Sequence, residues 1–283
     1  MTPTADATPA PAGDRDTLDR LLAVMPAGIA VDTYVGAGHD YGPLRLYGGH
    51  LLGQALAAAF ATLPAHKLAH SLHAYFLKTG DPDRPLAYQV ERLRDGRVYT
   101  TRSVRAVQDG RTLMTFMASF KSPETGDVHA PVMPDAPDPE RLKARGGALA
   151  MPFTGVGGVE LVPVTAWHPR LDAGSEPAIR LWTRAGLATA DARVRQCALA
   201  YLSDGSMMFN ALRPHGRAFS THRATSLDHA VWFHESADAA DWLLFDQSGP
   251  AAADARGMNH GRLFTRDGRL AASVAQEAMM RRV

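Results

Sequence analysis

The chain contains one pattern twice, and any fold proposed for it must house both copies. The stretch HSLHAYFLKTG (70–80), followed by LAYQVERLRDGRVYTTRSVRAVQDGRTLMTFMASF (86–120), is echoed by TSLDHAVWFHE (225–235) and the segment 241–280. His73-Ala74 recurs as His229-Ala230, 156 residues later, and Asp109-Gly110-Arg111 recurs as Asp267-Gly268-Arg269, 158 residues later. Two copies that stay in step to this degree imply one supersecondary unit used twice. Each reads as a strand, a connection and a long antiparallel section, with hairpin signals at Asp95-Gly96, Asp109-Gly110 and Asp267-Gly268, because Asp-Gly supplies the positive φ of tight turns. A helix precedes each. GGHLLGQALAAAFATL (48–63) is apolar nearly all round, as suits a helix enclosed by a curved sheet. In DARVRQCALAYLSDG (191–205), Val194, Cys197, Ala198, Tyr201 and Leu202 fall at helical spacing. The expectation is an α+β protein of two tandem units, 17–121 and 159–283, each with a long helix wrapped by antiparallel sheet. Residues 1–16, rich in Pro, Ala and Thr, read as a disordered tail. Residues 122–158 read as a linker with one short helix around 139–146, and VELVPV (159–164) as a strand that Pro163 confines to an edge.

Several classes of function fall away. Thirty Lys+Arg against 29 Asp+Glu leave a net charge of +1, without the footprint of a nucleic-acid binder. The longest apolar stretch, 51–63, falls short of the about 20 residues that span a bilayer. With no basic, apolar leader and Cys197 as the single cysteine, a cytoplasmic location is expected. There is no G-x-S-x-G elbow and no G-x-x-x-x-G-K loop. TGVGGVE lacks the strand-before, helix-after context of a dinucleotide site. His70, His73, His229 and His234 lack the carboxylate or cysteine neighbours of a metal site and read as ordinary strand histidines. No metal and no cofactor are expected.

Gln276 does not fit a bland reading. In ASVAQEAMM (272–280), period two places it with Val274, Ala278 and Met280 on one face. A primary amide on an apolar face needs polar partners. Differences between the copies suggest which. At the offsets above, Asp204 corresponds to Gly48, Ser226 to His70 and Gln276 to Ala118, so the second copy has an acid, a hydroxyl and an amide where the first has none of these. Taken singly, Asp204 reads equally as a helix-end turn residue and Ser226 as a strand-start hydroxyl.

These motifs resemble the acyl-CoA thioesterase II family of double hot dog enzymes: YGGHLLGQAL (47–56), HSLHAYFLKTGD (70–81), VERLRDGR (90–97), ASFKSPE (118–124), YLSDG (201–205), LDHAVWFH (227–234) and VAQEAMMR (274–281). The resemblance covers nearly the whole chain from about residue 17. It implies a double hot dog fold and hydrolysis of fatty acyl-CoA to fatty acid and CoA, with Asp204, Ser226 and Gln276 holding the hydrolytic water. His50 stands where members often have Gln, and Ser226 where many have Thr. On this view Asp204 takes a proton from the water, and the start of the first helix, Gly48 and Gly49, supplies oxyanion donors, with His50 near the substrate. Met and Phe residues of LMTFMASF and MMFNAL are candidates to line a tunnel for the acyl chain, and core packing explains them just as well. A homo-oligomer, dimer or tetramer, is expected from exposed sheet edges. Two other readings remain: a hot dog enoyl-CoA hydratase, which needs a histidine at its acid/base pair, and a non-catalytic acyl-CoA binding protein.

Overall fold

The structure is a computed structural model that describes residues 17–28, 30–165, 176–216, 218 and 220–283. The expected tail, 1–16, lies outside the described residues. The first half comprises α1 (Leu18–Leu21), β1 (Val24–Pro26), β2 (Thr33–Gly36), α2 (Gly48–Phe60), β3 (Leu68–Phe76), β4 (Leu86–Asp95), β5 (Tyr99–Gln108) and β6 (Arg111–Lys121). A connecting stretch carries α3 (Pro139–Ala144). The second half holds β7 (Glu160–Pro163), β8 (Ala178–Arg184), α4 (Ala192–Asp204), α5 (Phe209–Leu212), β9 (His222–Ser226), β10 (Asp228–Phe233), β11 (Leu243–Ala253), β12 (Arg256–Thr265) and β13 (Leu270–Arg282).

All the strands join one antiparallel sheet in the order β1-β2-β4-β5-β6-β3-β10-β13-β12-β11-β8-β7, with β9 continuing the lane of β10 along β13. The order reads as the same sequence of elements from either end. At the junction, His73 pairs with Ala230 and Ala74 with His229. Adding 156 to His73 and subtracting 156 from Ala230 gives the other pair, so a pseudo-two-fold axis passes between β3 and β10. Strand β7, with Pro163, is an edge strand bonded only to β8.

The helices depart from the duplication. The helix expected over 191–205 forms as α4, but its main partner is α2, back to back, whereas α5 and the turns before it lie against β8, β11 and β12. In the second half α5 therefore takes the place that α2 has against β2, β4 and β5. Small residues allow α2 and α4 to touch: a Cβ on Gly49 would lie 2.3 Å from the Tyr201 carbonyl oxygen, and one on Gly53 would lie 3.2 Å from that of Cys197. The Gly-Ala composition of α2 thus serves a helix–helix contact as well as enclosure by the sheet.

Among the hairpins, Asp109 and Gly110 both have positive φ (52° and 74°) between β5 and β6, the two-residue turn that Asp-Gly signals. Asp254 and Ala255 make the same kind of turn between β11 and β12, with φ of 49° and 54°, without a glycine. The linker packs closely: Trp182 donates its indole N–H to the Pro137 carbonyl, Trp242 donates to Glu140, and Asp138 caps α3.

An L-residue in the left-handed region carries a steric cost of about 1–2 kcal/mol. Ala255→Gly is expected to stabilise the fold, by up to about 1 kcal/mol after the entropy of the freer unfolded chain is counted. A rise in the urea unfolding midpoint at constant m-value is the check.

Candidate active site

The site forms where the end of α4 meets the start of α2. Asp204 is the last residue of α4, and its Oδ2 accepts the backbone N–H of Gly49 at 2.9 Å. The first N–H groups of a helix have no intrahelical acceptor, so the carboxylate serves as a cap supplied by the other half of the chain. Its other oxygen, Oδ1, accepts from Gln276 Nε2 at 2.6 Å, and the Ser226 hydroxyl is near enough to favour the ionised carboxylate. Gln276 lies on the inward face of β13 with Val274, Ala278 and Met280, as the alternation predicts. Ser226 ends β9 and sits beside it in register, paired with Ala278. Asp204, Ser226 and Gln276, far apart in sequence, are thus brought together.

Gln276 is 1% exposed, and both hydrogens of its amide nitrogen are used. One goes to Asp204 and the other to His229 Nδ1 at 3.0 Å. No donor among the described residues reaches its carbonyl oxygen. His229 Nε2 meets Ser203 Oγ at 2.8 Å, and that hydroxyl donates to the Ala200 carbonyl. Ser203 and His229 stand at the distance of a nucleophile and its base, yet both are fully buried and neither lines the cleft, which excludes direct attack by Ser203.

A cleft of about 950 Å³ reaches Asp204, Ser226 and Gly48, with Leu51, Phe76, Met208 and Phe209 among its apolar lining and Arg45 and Lys78 as its cations. Behind the carboxylate, Tyr47 stacks on Phe153 with ring centroids 4.9 Å apart and packs edge-on against Tyr201 at 4.8 Å. Burial in this wall pushes the pKa of Asp204 up to about 6, against the pull of Gln276, the Gly49 N–H and Ser226. Burial alone holds His229 down to about 3.

Three expectations need correction. The Gly49 N–H is taken by Asp204, so it is no free oxyanion donor; Gly48, whose N–H opens α2, lines the cleft instead. His50 is fully buried and turned away from the cleft, with Nδ1 on the Tyr41 hydroxyl and Nε2 on the Ala37 carbonyl. In LMTFMASF, Met114, Phe116 and Phe120 are core residues and Met117 points outward, so that strand does not line the cleft. His229 and Phe153 are additions that sequence reasoning missed. No cluster of His, Cys, Asp and Glu fit to hold a metal occurs among the described residues.

A duplicated, helix-bearing antiparallel sheet with a buried carboxylate at the base of a largely apolar cleft, held from behind by a buried amide, has the make-up of a double hot dog protein with one polar group placed to meet a ligand. The comparisons make this specific. The family model described as acyl-CoA thioesterase matches residues 166–279, and that of the acyl-CoA thioesterase N-terminal domain matches 38–121. Human acyl-coenzyme A thioesterase 8 is 36% identical over 257 residues, covering 84% of this chain and 81% of its own. Acyl-CoA thioesterase 2 of Haemophilus influenzae is 33% identical, covering 94% and 98%. The crystal structure of acyl-CoA thioesterase II TesB2 from Mycobacterium marinum matches with a TM-score of 0.77 at 34% identity, covering 94% of this chain and 98% of that one. The chain belongs to the acyl-CoA thioesterase family and has its double hot dog fold.

The raised pKa of Asp204 has a consequence for stability. A carboxyl that holds its proton more tightly when folded contributes stability that is present below pH about 4 and lost as pH rises through about 6. Asp204→Asn removes this dependence, so between pH 4 and pH 8 the variant is expected to gain on the wild type by up to about 3 kcal/mol. Urea unfolding of both proteins at the two pH values measures the difference.

Proposed function

We propose that this chain hydrolyses fatty acyl-CoA to free fatty acid and CoA, using a water held by Asp204, Ser226 and Gln276. The observation that carries the reading is the polarity of the Asp204–Gln276 pair: a carboxylate with a pKa of about 6 at the base of the cleft, beside a buried amide carbonyl with no donor among the described residues. A water there would donate one hydrogen to Asp204 and the other to Gln276 Oε1, and direct a lone pair toward the thioester carbon. Asp204 takes the proton as the water attacks, giving a tetrahedral intermediate, and returns it to the departing CoA sulfur as the carbon–sulfur bond breaks. The Gly48 N–H at the start of α2 is our choice of oxyanion donor.

The hydratase reading is disfavoured because His50 and His229 have both ring nitrogens engaged inside the protein. A purely binding role leaves the buried, acidic-side-tuned carboxylate unexplained. We assign the acyl chain to the Leu51, Phe76, Met208 and Phe209 lining and the CoA phosphates to Arg45 and Lys78. A cytoplasmic homo-oligomer, dimer or tetramer, belongs to the same reading. Its support is the buried, unpaired Cys197 and the exposed Tyr75, Met117 and Trp232 on the outward face near the junction, rather than the edges, where β1 and β7 have only three and four residues.

CoA release from acyl-CoAs of graded chain length is expected for the wild type. Asp204→Asn and Gln276→Ala should lower kcat by about 10²–10⁴-fold while remaining folded. Wild-type kcat/KM should fall below pH about 6, where Asp204 becomes protonated. A wild type that releases no CoA from any member of the series would overturn the reading. For the phosphate assignment, Arg45→Ser/Lys78→Ser is expected to raise KM roughly tenfold with little change in kcat, and the wild-type KM to rise with salt. An unchanged KM would move the phosphates elsewhere.

A further inference from the structure

We propose that His229, with Ser203 behind it, is a positioning residue that fixes the Gln276 amide in the orientation that turns its nitrogen inward and its carbonyl to the attacking water. The proposal rests on the role given to Gln276 above. Following the hydrogens carries it. Gln276 Nε2 lies 2.6 Å from an Asp204 oxygen and 3.0 Å from His229 Nδ1, so each of its two hydrogens has one acceptor. His229 Nδ1 must then be bare, and the ring hydrogen sits on Nε2, facing Ser203 Oγ at 2.8 Å. Ser203 accepts it and sends its own hydrogen to the Ala200 carbonyl at 2.9 Å. Every hydrogen in the chain Gln276–His229–Ser203–Ala200 has one place to go, and the atom left over is Gln276 Oε1.

The opposite order is also self-consistent within the chain: Ser203 donates to Nε2, His229 carries its hydrogen on Nδ1, and Gln276 turns its carbonyl to the ring. That order places an amide oxygen against the Asp204 carboxylate, so the ionised Asp204 forbids it. The restraint from Asp204 disappears once the carboxylate has taken the proton from water, since a protonated carboxyl can donate to an amide oxygen as readily as an ionised one accepts from the amide nitrogen. At that stage His229 Nδ1 is the remaining group that tells the two ends of the amide apart. Burial keeps the ring neutral, with a pKa of about 3, and the Ala200 carbonyl, by taking the Ser203 hydrogen, favours the ring hydrogen on Nε2 and leaves Nδ1 an acceptor. His229 Nδ1 stands 3.8 Å from Asp204 Oδ1, and the amide nitrogen, bonded to both, bridges them.

The test is a double-mutant cycle on acyl-CoA hydrolysis combined with a spectroscopic reading of the wild type. His229→Phe fills the space and offers no acceptor; it is expected to lower kcat by roughly 10²-fold, the cost of a misplaced catalytic group, with KM little changed. His229→Asn puts an amide oxygen close to the place of Nδ1 and should recover most of that loss. In a Gln276→Ala background, His229→Phe should cost nothing more, because its effect passes through Gln276. Equal losses in both backgrounds, or an Asn variant no better than Phe, would overturn the proposal. Full kcat in Gln276→Ala alone would instead remove the water-holding role of Gln276, and this proposal with it. Independently, ¹⁵N NMR of the wild type, with the His229 ring assigned by its loss in His229→Asn, should show a protonated Nε2 and a bare Nδ1. The reverse tautomer sinks the proposal whether or not the Phe variant folds.

Discussion

The contact between α2 and α4 governs the rest of this structure. Gly49 and Gly53 let α2 approach the backbone of α4 so closely that a methyl group on Gly49 would collide with the Tyr201 carbonyl oxygen and one on Gly53 would crowd that of Cys197. At that separation the last residue of α4 reaches the first turn of α2, and the Asp204 carboxylate meets the Gly49 N–H. The site therefore belongs to neither half alone. One half supplies the helix start that receives a negative charge favourably, and the other supplies the charge, the amide and the hydroxyl.

Two opposed effects tune that charge. The aromatic wall of Tyr47, Tyr201 and Phe153 strips water from the carboxylate and raises its pKa, while the Gly49 N–H, Gln276 and Ser226 favour the ionised form. Burial wins, but only as far as about 6. A carboxylate at its ordinary value would be a weak base toward water, and one buried without donors would stay protonated at neutral pH. The balance leaves Asp204 largely ionised at pH 7 yet more basic than an ordinary carboxylate. The same balance makes the residue a burden on stability above pH 6, a common trade at functional sites.

Much of this was legible in the chain because period and repetition report local facts. The alternation around Gln276 identified an inward amide, and the offset between copies singled out Asp204, which meets it, and Ser226, which lines the cleft beside Asp204. Asp109-Gly110 announced its hairpin; Asp254-Ala255 did not, since its left-handed residues carry no glycine to mark them. The division of labour between α4 and α5 was hidden, because helical spacing reveals an apolar stripe without naming the surface that covers it. Phe153 lies in a Pro- and Gly-rich linker where no periodicity exists to place it. His229 read as an ordinary strand histidine for the same reason: its importance lies in contacts to Ser203 and Gln276, 26 and 47 residues distant along the chain.

The duplication also bears on why the carboxylate stands on one side of the pseudo-two-fold axis. Positions 48 and 204, related by the 156-residue offset, meet across the pseudo-two-fold axis: a Cβ on Gly48 would come within 2.6 Å of Asp204 Oδ2. A symmetric pair of identical units would have to place the same residue at both positions. Two glycines would leave no carboxylate, and two aspartates would press like charges together in a buried space, where one would have to stay protonated. Only a chain in which the copies differ can put a carboxylate on one side of the axis and open backbone on the other. Fusing the two units into one polypeptide permits that difference, and Gly48, by having no side chain, is as necessary to the carboxylate's position as the donors that hold it.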